Sequence, residues 1–104
     1  MIIVLAHVDV ASPHKAQALS LAQEHVARSR LEPGCLSHAV YEDPENEHQL
    51  VFVEQWESEA ALQAHFAVPA SAEFVNALGA MASTRPRIRI YQATELPFPG
   101  RAAR

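Results

Sequence analysis

A chain of 104 residues is long enough for one hydrophobic core and too short for two domains. With 49% of residues apolar and 19% charged, a disordered segment is excluded; a net charge of −4 with scattered Lys and Arg excludes a phosphate-binding stripe, and nucleic acid with it as a partner. The single cysteine, Cys35, excludes an internal disulfide and a thiolate metal cluster and fits a reducing compartment.

The first element is a strand over residues 2–10, rich in β-branched side chains. Its start, Ile2-Ile3-Val4-Leu5-Ala6, has no preceding basic region and is too short to span a bilayer, so no membrane partner and a cytoplasmic location are expected. Ser12-Pro13 turns the chain into a helix whose apolar stripe is read as Ala16, Leu19, Ala22, Val26 and Ala27, opposite Gln17, Glu24 and Arg28. That helix stops at Glu32-Pro33-Gly34, where Gly34 supplies a positive-φ position for a tight turn. Strands over 36–42 and 49–56 follow, joined by the polar loop 43–47. Ser58 caps a second helix, with Glu59 at the positive end of its dipole. Pro69 divides this region, and a further helical piece, 71–82, carries Phe74, Val75, Leu78 and Met81 on one side. A last strand over 88–94 closes the domain, assigned to residues 1–96, and 97–104 form a tail that need not be ordered.

The order βαββαβ specifies an α+β, ferredoxin-like domain, two helices packed on one face of a four-stranded antiparallel sheet. Both sheet faces read as dry: in the third strand Leu50, Val51, Phe52 and Val53 are apolar without interruption. Helices cover only one face, so a second copy is expected on the other, giving a dimeric α+β barrel.

On the second helix Ala61, Leu62 and His65 share a side, with Phe66 adjacent, so His65 is expected to face inward. A lone inward histidine is commonly a satisfied structural residue, and its weight depends on other polar groups converging on it. His7 is placed on the less uniformly apolar side of the first strand, with Ile3, Leu5 and Asp9, and that side is assigned to the cavity. His38 shares a side with Leu36 and Val40, and Phe52, Glu54 and Trp56 share another. A mostly apolar pocket walled by Trp56, Phe66 and Phe74 with one or two imidazoles suits a small molecule. His7, His38 and His65 lack short ligand spacing, so no metal is expected; no phosphate loop or nucleophile elbow is present. Cys35 reads as a buried small residue, and His14, His25 and His48 as surface.

The stretch Glu32-Pro33-Gly34-Cys35, the loop at Asp43-Pro44 and, above all, Trp56-Glu57-Ser58 followed by Leu62 and His65 closely resemble the antibiotic biosynthesis monooxygenase family, over about residues 2–96. The resemblance implies a ferredoxin-like homodimer with a pocket between sheet and helices in each subunit. The family also holds quinol monooxygenases, heme-degrading enzymes and a sugar-phosphate isomerase. The heme-degrading branch carries an Asn, a Trp and a His where this chain has His7, His65 and Val75, so axial ligation of heme is not expected. The polyketide branch is described by an Asn and a Tyr that are not evident here.

By this likeness the chain is expected to be a cofactor-independent monooxygenase that oxidises a quinol-like or polycyclic phenolic compound with dioxygen, without flavin, metal or heme. The substrate anion passes an electron to dioxygen directly, so the protein must bind a flat aromatic, take a proton and stabilise the anion. An imidazole, with an ordinary pKa of about 6.5, suits that task. His65 is assigned as proton acceptor or anion-orienting group and His7 as its partner, with Trp56, Phe66, Phe74, His38 and Leu62 around the substrate. Two other readings use the same pocket: a non-enzymatic dimer that binds a small hydrophobic metabolite, and an isomerase-like member, for which Arg85, Arg87 and Arg89 form the only cationic cluster and more plausibly face solvent.

Overall fold

A computed structural model of the chain describes residues 1–99. Its elements are β1 (Ile2–Asp9), α1 (Ser12–Ser29), β2 (Cys35–Asp43), β3 (Asn46–Trp56), α2 (Glu59–Ala67), α3 (Pro69–Met81) and β4 (Arg87–Gln92). The last part of the expected tail, 100–104, lies outside the described residues. The strands form one antiparallel sheet in the order β2-β3-β1-β4, the ferredoxin-like arrangement. Among the described residues no helix is long and apolar enough to cross a membrane.

Local chemistry sets the boundaries. Ser58 accepts from the Ala61 amide at 3.2 Å and caps α2. Pro69 opens α3 two residues before the expected start, because proline is at home in a helix's first turn. The β2–β3 connection is tighter than the five-residue loop expected: Pro44-Glu45 alone form the turn, with Asp43 Oδ1 accepting from the Glu45 amide at 2.9 Å. The pairing then slips between Glu42 and Asp43, so β3 starts at Asn46.

The alternation along β1 decides what the helices cover. Ile2, Val4, Ala6 and Val8, and Val10 just beyond the strand, are buried, while Ile3, Leu5, His7 and Asp9 are half-buried on the other face. Leu50, Phe52, Glu54 and Trp56 of β3 join the buried set. This reverses the expected parity for His7. The five-membered apolar set gains most from the dry helix contact, so it goes under the helices and leaves His7 on the free face, beside Val51 and Arg87. The stripe of α1 is also rotated. Ala16 and Ala27 are exposed, and the buried line is Ala18, Ala22, His25, Val26 and Ser29. Ser29 can be buried because its hydroxyl donates to the His25 carbonyl at 2.7 Å.

Asp9 ties the end of β1 to the α3–β4 connection. Its carboxylate accepts from Thr84 Oγ1 at 2.8 Å, Gln49 Nε2 at 3.2 Å and Arg87 at 3.3 Å. The hydrogen bonds from Thr84 and Gln49, then Arg87, hold its carboxyl below the ordinary value of 3.8. A depressed carboxyl stabilises the fold above its ordinary pKa and loses that contribution as pH falls through the lowered one. Asp9→Asn is therefore expected to lower the melting temperature at pH 7, with the gap to wild type closing below about pH 4, as thermal melts across pH will show.

Candidate active site

The face between sheet and helices carries a polar cluster inside an apolar core. His25 of α1, His38 of β2, Glu54 of β3 and His65 of α2 are 5%, 1%, 7% and 3% exposed. Strand register makes the first part of it: Val4, Glu54 and His38 lie side by side across β1, β3 and β2. The Trp56 indole, two residues on and on the same face, donates to Glu54 Oε1 at 2.9 Å. His38 Nε2 stands 3.4 Å from the same oxygen, longer than a well-formed hydrogen bond, and both His38 ring nitrogens lack a hydrogen-bond partner. Burial pushes the Glu54 carboxyl up, but His38 and the Trp56 N–H outweigh it and hold it below the ordinary range.

The helices add the other two rings. His25 stacks on Phe74 of α3 with centroids 4.1 Å apart and planes within 6°. Burial, then the neighbouring His38 and His65, push its pKa down from 6.5 to about 3, so His25 is neutral at physiological pH and a weak base. His65 leans on Trp56 at 4.5 Å, and its Nδ1 lies 2.7 Å from Glu32 Oε1. A carboxylate at that distance fixes the ring proton on Nδ1 and leaves Nε2 as the nitrogen with a lone pair. The ligand atoms of His25, His38 and His65 all lie within 4.8 Å of one another.

Glu32 reaches His65 through the turn after α1. Gly34 has φ +81°, the positive value expected, and its carbonyl accepts from the Glu57 amide at 2.8 Å. A Cβ at Gly34 would come within 2.5 Å of Ala61 Cβ. Glycine therefore lets the turn lie directly on α2, which holds Glu32 against His65.

A cavity of about 120 Å³ opens beside the cluster. Val4, Ala6, Val8 and Phe52 form its sheet wall, Phe74 and Leu78 its helix wall, and His25, Glu54 and His65 its polar end. Phe66, Val75 and Ile88, each at least half exposed, stand around the mouth. Of the residues expected around a substrate, His65, Phe66 and Phe74 meet here. Trp56, Leu62 and His38 are buried behind them rather than in the wall, and His7 lies across the sheet. His25, expected on the surface, is in the wall because it continues the Ala18–Ala22 line by three residues. Glu54 and Glu32 were not singled out. Glu54 could have been found as a carboxylate sharing a side with Phe52 and Trp56; the 33-residue separation of Glu32 from His65 leaves no local signal. The Cys35 thiol is pushed up by burial and packs with Ile2, Val4, Trp56 and Leu62, so it offers no thiolate.

Residues 1–77 match the family model described as antibiotic biosynthesis monooxygenase. An uncharacterized Synechocystis protein, sll1783, is 34% identical over 94 residues, which is 90% of this chain and 64% of that protein, so the chain spans less than two thirds of this relative. A crystal structure of an antibiotic biosynthesis monooxygenase superposes with a TM-score of 0.85 at 26% identity, covering 91% of this chain and 100% of its own. A conserved protein from Methanosarcina mazei superposes with a TM-score of 0.86 at 25% identity, covering 89% and 92%.

The turn makes a direct prediction. Gly34→Ala places a side chain both at positive φ and against Ala61, and is expected to cost at least about 1–2 kcal/mol, measured by urea unfolding.

Proposed function

The chain belongs to the antibiotic biosynthesis monooxygenase family, and on that premise we propose that it oxidises a small quinol with dioxygen in the cavity beside His65. The observation that carries the reading is the Glu32–His65 pair at the polar end of an otherwise apolar pocket. The carboxylate orients the imidazole, and Nε2 is the base that takes the substrate's hydroxyl proton. The quinolate then donates electrons to dioxygen. One oxygen atom enters the ring and the other leaves as water, all four electrons coming from the quinol, so no external reductant enters the balance.

The cavity favours the smaller of the expected substrates. Pockets for drug-sized molecules span about 300–1,000 Å³, and an engineered cavity of about 150 Å³ takes up benzene. At about 120 Å³, with an open apolar mouth at Phe66, Val75 and Ile88, this one suits a one- or two-ring quinol rather than a three-ring phenol. The neutral His25 stacked on Phe74 extends the flat wall against which such a ring would lie.

Oxygen-electrode assays test this. Reduced menadione is expected to be turned over at least about tenfold faster than an anthrone-type three-ring compound. His65→Ala is expected to lower kcat/KM by about 10²-fold or more, and Glu32→Gln to lower kcat with KM little changed, because it disturbs the base and not the wall. Oxygen uptake unchanged by His65→Ala removes the assigned role.

We also propose that two copies pair through the free sheet face. Ile3, Leu5, Ala39, Val51 and Val53 are only half-buried there, with no helix among the described residues over them. Light scattering is expected to give the mass of two chains for the wild type and of one for Leu5→Asp.

A further inference from the structure

We propose that His25, His38 and His65 form a binding site for one divalent transition-metal ion of the kind that imidazole prefers, with Zn²⁺ as the probe. The oxidation proposed above needs one imidazole, yet the fold brings three together, with ring centroids 5.3–5.6 Å apart. Beyond its 3.4 Å approach to Glu54, His38 has no polar side-chain contact in the core. It is 1% exposed, neither ring nitrogen has a hydrogen-bond partner, and it is not in the cavity wall. A buried polar atom left unmatched costs about 1–3 kcal/mol. An ion among the three rings would satisfy one such nitrogen directly.

The chemistry of the surroundings supports a cation. His65 donates its Nδ1 proton to Glu32 at 2.7 Å, the carboxylate–histidine pairing that orients metal-ligating imidazoles elsewhere. Glu54 Oε1, 3.4 Å from His38 Nε2, brings a second carboxylate near enough to offset part of the charge. Two cations oppose: Arg28 Nη2 lies 3.5 Å from His25 Nδ1 and also donates to the Ala70 carbonyl at 3.4 Å, and Arg30 Nε donates to the His38 carbonyl at 2.9 Å. Two carboxylates against two guanidiniums leave the local charge balanced, so the three imidazoles rather than the surrounding field would hold the ion.

The geometry needs modest closure. With Zn–N bonds of about 2.0–2.1 Å, tetrahedral ligand nitrogens stand about 3.4 Å apart, against at most 4.8 Å here. Side-chain adjustments of about 1 Å bring the rings in. Since His25, His65 and Glu54 border the cavity while His38 lies behind them, a bound ion keeps a position open toward the cavity. It would also take the His65 lone pair that the proposed oxidation uses, so ion binding and proton acceptance are alternative states of one site. Binding is read without substrate and stands or falls apart from the oxidation.

The test is titration of tag-free, chelator-treated protein with Zn²⁺ by calorimetry, with thermal melts alongside. One ion per chain and a raised melting temperature are expected. His38→Gln and His65→Gln are each expected to weaken binding by at least about tenfold, and His14→Gln and His48→Gln to leave it unchanged, since both residues are exposed. Because a core variant can fail to fold, imidazole ¹⁵N NMR of the wild type gives a second reading: one equivalent of Zn²⁺ should shift three rings and no others. Absence of Zn²⁺ uptake by the wild type, uptake that survives both core substitutions, or shifts confined to other histidines would overturn the proposal.

Discussion

The polar layer rests on one buried charge. Glu54 sits mid-sheet between Val4 and His38, and a carboxylate there costs several kcal/mol unless donors surround it. Trp56 meets that demand with its indole N–H, which fixes the plane of the largest fully buried side chain. The fixed indole is in turn the surface on which the His65 ring lies, 4.5 Å away. The imidazole that the cavity presents is therefore positioned from beneath by a chain of contacts that begins at the carboxylate. Removing that charge would loosen Trp56 and His65 together, because the members of such a network are set by one another.

The helices place a gradient on this floor. α2 and α3, separated at Val68-Pro69, cover β1 and β3 but leave Ile88 and Ile90 of β4 half exposed, on the same face as Ala6 and Val4. The cavity consequently runs from an apolar, open mouth at β4 to a polar, closed end at β3, α1 and α2. A flat molecule with one hydroxyl edge gains by burying its rings along Phe74 and Phe52 and sending the hydroxyl to the imidazoles; the reverse pose would strand a polar group among Val75 and Ile88. Orientation thus follows from the sheet order, before any specific hydrogen bond is considered.

Much of the fold was legible because local chemistry decided it. Ser58 by its side chain and Gly34 by its backbone bound elements where the sequence placed them, and Pro69 divides the two helices as read, although it opens α3 two residues early. The alternation in β1 was legible as a pattern, but not as a direction: nothing within the strand states which face meets a helix, so His7 was assigned to the wrong side. The site was less legible still. His65 was found because two of its neighbours on α2, Ala61 and Leu62, share its side. His25 was lost to the assumption that a helix's buried stripe is apolar, which Ser29 also breaks. Glu32 joins the site through a contact between a turn and a helix far away in sequence, and tertiary contact of that kind leaves no periodicity to read.

That same turn governs what His65 can do. A neutral imidazole with no partner at Nδ1 can carry its proton on either nitrogen, and half of its tautomers present an N–H to the cavity rather than a lone pair. Glu32 removes this choice by accepting at Nδ1, so in the neutral ring the lone pair is the one on Nε2. A lone pair held in that way serves a proton acceptor and a metal ligand equally well, and the helix sequence around His65 does not distinguish them. The distinction lies in the neighbours: a proton acceptor needs only the open cavity, whereas an ion also needs His25 and His38, whose convergence depends on the rotated stripe of α1 and on the pairing of β2 with Glu54. The chemistry of His65 is therefore decided by elements other than its own helix, through contacts that only the folded chain brings about.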